Sequence, residues 1–290
     1  MLAKPSFEEI LAREYSGLSL KQKAAADYIT ANKLDVATRS LRTISATSGL
    51  APATFSRLAR ALGFPEYEAL REVLRNTVER QVATFSEKAG KLQHDAENSD
   101  HPPFLYRQTN ACIANISALN TAIDQTRLED AVEHLHKARN VVLLGALGST
   151  GIVEYLSYLA NYFTTNWQCA SSMGASLGSS MADLNDQDAM IIVTKPPFAK
   201  RAIQAADMAR AQGAYVIVIT DTHTCPALPF ANAGFIVPSD SPQFFSSYAA
   251  TLALVETIIA MLVSRSGNSA KRRIEQVENR HRRLEEIWDK

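Results

Sequence analysis

Cysteine is scarce: Cys112, Cys169 and Cys225 are the only three, far apart and never spaced as C-x-x-C. That excludes a disulfide framework and a cysteine-rich zinc site, and fits a reducing cytoplasm. Net charge is missing as well, because 30 Lys plus Arg meet 30 Asp plus Glu. A uniformly basic nucleic-acid coat and a uniformly acidic, solvating chain are both ruled out. No unbroken apolar run reaches the roughly 18 residues of a membrane span. The first 15 residues carry Lys4, Glu8, Glu9, Arg13 and Glu14 where an export signal would need an apolar core. A soluble, cytoplasmic chain with no membrane partner is expected. No repeat of roughly 20 to 50 residues recurs, so a solenoid or propeller is excluded. His134 and His136, two apart, would point about 200° apart on a helix and cannot share a metal; no metal site is expected.

What the chain does have is apolar material, 46% of 290 residues against 21% charged, enough for two cores. The zero average hides an asymmetry. Residues 1–80 hold 12 basic and 9 acidic side chains, residues 81–264 hold 10 and 16, and residues 265–290 hold 8 and 5. The ends are basic and the middle is acidic. Ser86 to Pro103 is polar and ends in Pro102-Pro103, which stops a helix and favours extended chain. The expected organisation is a helical domain over 1–85, a linker over 86–103, a larger domain over 104–264 and a C-terminal amphipathic helix over 265–290.

In the first domain, Ala25, Ile29 and Leu34 recur at helical spacing behind Ser19, a natural cap, so a helix is expected from Ser19 to Leu34. Leu41, Ile44 and Ala46 then lead to Ser48-Gly49-Leu50, and Pro52 opens a second repeat of Phe55, Leu58, Ala59 and Leu62 up to Gly63. Proline suits a first helical turn and glycine the residue past a helix end. The pattern is helix, tight turn, helix, stop. Away from its apolar stripe the second helix presents Ala53, Thr54, Ser56, Arg57 and Arg60: short residues that allow close approach, and guanidinium forks for phosphate or guanine. From shape alone, a small helical bundle with solvated arginines explains the pattern equally well. The run LRTISATSGLAPATFSRLARALGFPEYEALREVL (41–74) resembles the N-terminal domain of the RpiR family of bacterial transcriptional regulators. Ala53-Thr54, Arg57, Ala59-Arg60, Leu62-Gly63-Phe64 and Leu70 carry the match. Ala51 departs from it, standing where the family usually has a capping Ser, a loss typically costing about 0.5 to 2 kcal/mol. The resemblance implies double-stranded operator DNA as partner, with Thr43, Pro52, Ala53, Thr54, Ser56, Arg57 and Arg60 at the interface.

From residue 140 short aliphatic runs alternate with helical repeats. Val141 to Leu144, Met190 to Val193 and Tyr215 to Ile219 read as strands buried on both faces, with Phe235 to Val237 as a short fourth; Gly151 to Phe163 and Lys200 to Gln212 read as helices. An open, mostly parallel α/β sheet flanked by helices is expected, with ligands at the carboxyl ends of its strands. Those ends are Gly145 to Gly151, Thr194-Lys195-Pro196-Pro197-Phe198 and Thr220 to His223. The first does not spell G-x-G-x-x-G, so no dinucleotide, and no other cofactor, is expected. The stretch from Asn140 to Ser264 is similar to the sugar isomerase (SIS) domain of RpiR-family proteins, through DQDAMIIVT, AADMARAQGAYVIVITD and Cys225-Pro226, where Ser-Pro is usual. The resemblance implies an effector site with candidates Gly145, Gly148, Ser149, Thr150, Thr194, Lys195, Phe198, Arg201 and Thr220. Its second loop departs from the family's Ser-x-Ser-Gly type: Pro196-Pro197 removes two backbone donors, and Lys195, Lys200, Arg201 and Phe198 point instead to a carboxylate or other anion.

His223 and Cys225 read as parts of a turn rather than base and nucleophile. Glu154 is the only carboxylate near the first loop and lacks a second acid, so general acid/base isomerisation has no pair and no enzyme is expected. The last 26 residues place Ile274, Val277, Leu284 and Ile287 or Trp288 at helical spacing, to cap their own domain or a partner subunit. The preferred reading is a DNA-binding regulator, a homodimer or homotetramer, whose SIS domain senses a small anionic metabolite such as a sugar phosphate or a carbohydrate-derived acid. A SIS-type sugar-phosphate isomerase with a helical appendage, and a ligand-binding module that oligomerises through its helices, stand as alternatives.

Overall fold

The computed structural model describes residues 7–82, 84–97, 102–170 and 176–288. The chain divides into two compact units, one of residues 1–103 with 243–245, the other of residues 104–242 and 246–290. The first is all helical: α1 (Phe7–Glu14), α2 (Leu20–Ala31), α3 (Lys33–Thr38), α4 (Leu41–Ser48), α5 (Pro52–Ala61), α6 (Tyr67–Val82) and α7 (Phe85–Glu97). Ser19 closes a capping box with Gln22, as its position ahead of the apolar repeat predicts. The helix expected to run to Leu34 instead breaks at Asn32. There the side chain donates to the Tyr28 carbonyl oxygen (2.9 Å) and the backbone leaves helical geometry (φ −129°) before α3 begins. The stretch read as a linker from residue 86 carries α7. Its start is a box of Thr84 and Glu87, each side chain accepting from the other's backbone N–H (3.2 and 2.7 Å), and this local signal outweighs the polar composition.

Phe55 is the centre of this unit's core. It is fully buried on α5, edge-on to Tyr28 and Tyr67 with ring centroids 6.3 and 6.1 Å apart, and surrounded by Ile29, Ile44, Leu58 and Leu70. α4 ends on Gly49 in the left-handed region (φ 71°). α5 ends in a Schellman turn: the N–H of Gly63 (φ 85°) donates to Arg60 and that of Phe64 to Ala59.

The second unit comprises α8 (Phe104–Ala122), α9 (Gln125–Lys137), β1 (Val141–Gly145), α10 (Thr150–Phe163), β2 (Trp167–Cys169), α11 (Leu177–Met181), β3 (Ala189–Val193), α12 (Lys200–Ala211), β4 (Tyr215–Thr220), β5 (Ala233–Ile236) and α13 (Ala249–Arg283). All strand pairs are parallel, in the order β2-β1-β3-β4-β5. Alternate residues serve opposite faces: Val141, Leu143, Ile191 and Ile217 pack with α9, α10 and α13, while Val142, Leu144, Ile192 and Val218 pack with α11 and α12. Double burial explains the continuous apolar runs. β2 is a three-residue edge strand without such a run.

α13 crosses the expected boundary at residue 264 and is interrupted at Gly267 (φ 54°, ψ −136°). It is the one helix among the described residues long and apolar enough to cross a membrane by length and composition. Its Leu254, Val255, Ile258 and Leu262 are buried in the sheet's core. Of the stripe expected beyond it, Ile274 and Val277 are half-buried, whereas Leu284, Ile287 and Trp288 are exposed.

At the amino end of the sheet Asp188 ties the strands together. Its buried carboxylate takes a bidentate pair from Arg139 (3.0 and 2.7 Å) and backbone N–H bonds from Asn140 and Asn185 (3.1 and 3.0 Å). Burial alone would raise its pKa, but these partners outweigh burial and hold it below the usual carboxylate range. Its contribution is therefore present above the ordinary carboxylate pKa and is lost as the pH falls through the depressed one. Asp188→Ala is expected to lose about 3 kcal/mol in urea unfolding at neutral pH, because it orphans two backbone donors and the guanidinium together.

Candidate functional site

Two surfaces collect the candidates. On α5, Pro52, Ala53, Arg57 and Arg60 are exposed and Thr54 and Ser56 half-buried, while Phe55, Leu58 and Ala59 face the core. α4 adds the exposed Thr43, whose hydroxyl lies 2.8 Å from the capping Ser40. Ala51 supplies no side-chain cap, and Pro52 opens the helix instead. The outward side of α5 is thus a ridge of short side chains flanked by two guanidinium groups. An open cleft of about 370 Å³ beside it, lined by Ser19, Lys21, Gln22, Thr54 and Arg57, adds an exposed Lys21 that the sequence did not single out.

The second surface is at the carboxyl ends of the strands. The chain passes from β1 outward to β2 and returns on β1's other side as β3, so the order reverses between β1 and β3. Such a reversal opens a crevice between the loops that leave the two strands. Gly145 and Val193, the last residues of these strands, are in register. From the β1 side comes Ser149, buried, its hydroxyl 2.9 Å from that of Tyr248. From the β3 side come buried Thr194 and Lys195, followed by the cis Pro196-Pro197 bond. The Lys195 ammonium donates to the Ser247 carbonyl oxygen (2.9 Å) and lies 4.2 Å from the centre of the Tyr248 ring. From β4 come Thr220, wholly buried, and Asp221, whose Oδ2 accepts from Ser239 (2.7 Å). Thr220 Oγ1 and Asp221 Oδ1 are buried and have no hydrogen-bond partner among the described residues.

Ser149, Thr194, Lys195 and Thr220 therefore sit at the strand ends where the sequence places them. Gly145 shapes the first turn, and Thr150 begins α10. Gly148 and Arg201 are exposed and Phe198 is half-buried, none with a side-chain bond to Lys195, Ser149 or Tyr248. Sequence reasoning named Asp221 only as part of the strand end Thr220 to His223, without a role of its own, and missed Ser247 and Tyr248. A run of hydroxyl residues ahead of the long apolar helix, Ser246-Ser247-Tyr248, was the available signal.

Burial pushes the Lys195 ammonium down to about 8, with the Asp221 carboxylate opposing the shift. The unfolded chain holds its lysine proton to near 10.5, so between those values it binds more protons than the folded chain. Stability contributed by this group accordingly rises with pH from about 8 upward. Lys195→Met is expected to flatten that rise by about 3 kcal/mol between pH 7 and 10 in urea unfolding.

Comparison with known proteins places the second unit. Residues 134–261 match the family model of the SIS domain. The sugar isomerase domain of an RpiR transcription factor from Sphaerobacter thermophilus superposes with a TM-score of 0.57 at 20% identity, covering 60% of this chain and 97% of that one. The NanR protein of Vibrio vulnificus, solved in complex with ManNAc-6P, gives 0.53 at 20% identity over 95% of this chain and 98% of its own. A putative sugar-phosphate isomerase from Listeria monocytogenes gives 0.51 at 16% identity over 60% and 93%. The chain is a helical N-terminal region followed by a SIS domain with a five-stranded parallel sheet.

Proposed function

We propose that the chain is a DNA-binding transcriptional regulator of the RpiR type, acting in the cytoplasm as a homodimer or homotetramer. α5 enters the major groove of an operator, and the crevice of the SIS domain binds a small carbohydrate-derived anion that changes operator affinity. The observation that carries this reading is the division of α5: an apolar side fixed around Phe55, and an outward side holding Ala53, Thr54, Arg57 and Arg60 beside α4 and its tight Gly49 turn. The likeness to NanR over nearly the whole chain, and that protein's sugar-phosphate complex, support pairing such a region with an effector-binding SIS domain.

Isomerisation of a sugar phosphate needs an acid and a base to move a proton between neighbouring carbons. Around Lys195 the hydrogen-bonding residues are Ser149, Ser247 and Tyr248, with the Asp221 carboxylate acting on it. Sensing requires of that set only the cation and the groups that hold it. The test is binding of a labelled fragment from upstream of the chain's own gene against a scrambled duplex, at low and near-physiological salt. The regulator reading expects a preference of at least about tenfold that survives the higher salt, since only the sequence-independent part is strongly salt-sensitive. Equal binding to both duplexes, together with turnover of a ketose or aldose phosphate, would replace the regulator by an isomerase.

A further inference from the structure

The crevice has a polarity of its own. Among the described residues its one buried cation, Lys195, is opposed by one carboxylate, Asp221, close enough to act on the charge of both Lys195 and Tyr248. The ammonium is held only by neutral groups, a carbonyl oxygen and an aromatic face. The loop that would wrap a phosphate contains two consecutive prolines and so offers no N–H at positions 196 and 197. α12 follows with Ala199 at its N-cap, which contributes no side-chain bond. One acceptor oxygen, Asp221 Oδ1, is buried with no hydrogen-bond partner among the described residues, and a buried carboxylate oxygen left unpaired is costly.

Deepening the effector reading above, on which it rests, we propose that the crevice takes a non-phosphorylated polyhydroxy monocarboxylate: a sugar acid whose carboxylate displaces the Ser247 carbonyl from Lys195 and whose hydroxyls donate to Asp221 Oδ1. A phosphomonoester fits this set poorly. It brings close to two negative charges to a site with one positive and one negative group, and at positions 196 and 197 it finds no backbone donor. A hydroxyl-rich carboxylate matches both halves: one anion for one cation, and a donor for the orphaned Asp221 oxygen. The lowered affinity of Lys195 for its proton limits anion binding to the pH range below about 8.

The experiment is calorimetric titration of the full-length protein at pH 7 with D-gluconate, D-glucuronate, D-glucose, glucose 6-phosphate and inorganic phosphate, repeated on Lys195→Met and Asp221→Asn. A sugar acid is expected to bind at least tenfold more tightly than glucose 6-phosphate. Lys195→Met should erase the advantage of the acid over glucose, and Asp221→Asn should raise affinity for glucose 6-phosphate at least severalfold. Thermal unfolding of both variants verifies that they fold; Lys195→Met removes a buried charge and is expected to fold. Tighter binding of glucose 6-phosphate than of either acid, or no binding of any acid at millimolar concentration, overturns the proposal. The operator assay separates the two readings. Release of DNA by glucose 6-phosphate would discard the sugar acid and keep the regulator, whereas carboxylate binding by a protein indifferent to DNA would keep the ligand class and discard the regulator.

Discussion

Gly145→Ala is expected to destabilise the SIS domain by about 3 kcal/mol or more, a drop of roughly 6 to 12 °C in Tm for a domain of this size. The residue ends β1 and leads into the turn that carries Ser149. A Cβ built there would lie 2.3 Å from the Ser149 carbonyl oxygen, 2.8 Å from its carbonyl carbon and 2.8 Å from Val153 Cγ2. Backbone atoms of the turn and a core side chain of α10 cannot swing aside as a flexible side-chain end would. Relief requires opening the turn, which pulls the Ser149 hydroxyl away from Tyr248 and disturbs the crevice as well as the core. Gly151, six positions on, is the control: nothing lies within 4 Å of its Cβ position, and it sits in the first turn of α10. Gly151→Ala should be neutral or gain up to about 1 kcal/mol, since alanine loses less freedom in a helix. Differential scanning calorimetry of the two variants decides the matter, and equal effects would show that Gly145 is not held by close approach.

The contrast between these glycines shows what the sequence could and could not reveal. Both stand in one glycine-rich turn, and spacing gives no reason to separate them; only the return of α10 over the end of β1 does. Strands β1, β3 and β4 were legible because burial on both faces leaves an uninterrupted aliphatic run, and the ends of α5 and α12 because Gly63 and Gly213 occupy left-handed positions (φ 85° and 90°). β2 was not, since a three-residue edge strand with one buried position carries no periodicity. α7 was hidden by polar composition, although the box of Thr84 and Glu87 was there to be read. The floor of the crevice was half legible: strand ends can be counted off a sequence, so Ser149, Thr194, Lys195 and Thr220 were found. Its wall was not, because Lys195 meets Ser247 across 52 positions and Ser149 meets Tyr248 across 99, distances that only the fold closes.

The double variant Arg57→Ala/Arg60→Ala is expected to weaken specific DNA binding by about a hundredfold or more while leaving folding stability within about 0.5 kcal/mol of the parent. The second half of that expectation gives the first its meaning. Both side chains are exposed on α5, and neither takes part in an ion pair among the described residues, so their loss removes charge and donors without opening the core. A guanidinium fork on a guanine edge is worth about 1 to 3 kcal/mol, and two such groups together span the hundredfold loss. Where one of them instead meets a phosphate, the slope of log affinity against log salt should fall by about one. Phe55→Ala on the same helix would also abolish binding, but by a different route. It leaves a void between Tyr28 and Tyr67 and costs about 3 to 5 kcal/mol, which would show as unfolding of the helical unit by circular dichroism. Fluorescence anisotropy on the operator fragment at two salt concentrations, paired with urea unfolding, separates the outcomes. A folded double variant that binds as tightly as the parent would place the nucleic-acid interface elsewhere and leave the outward side of α5 as ordinary solvated surface.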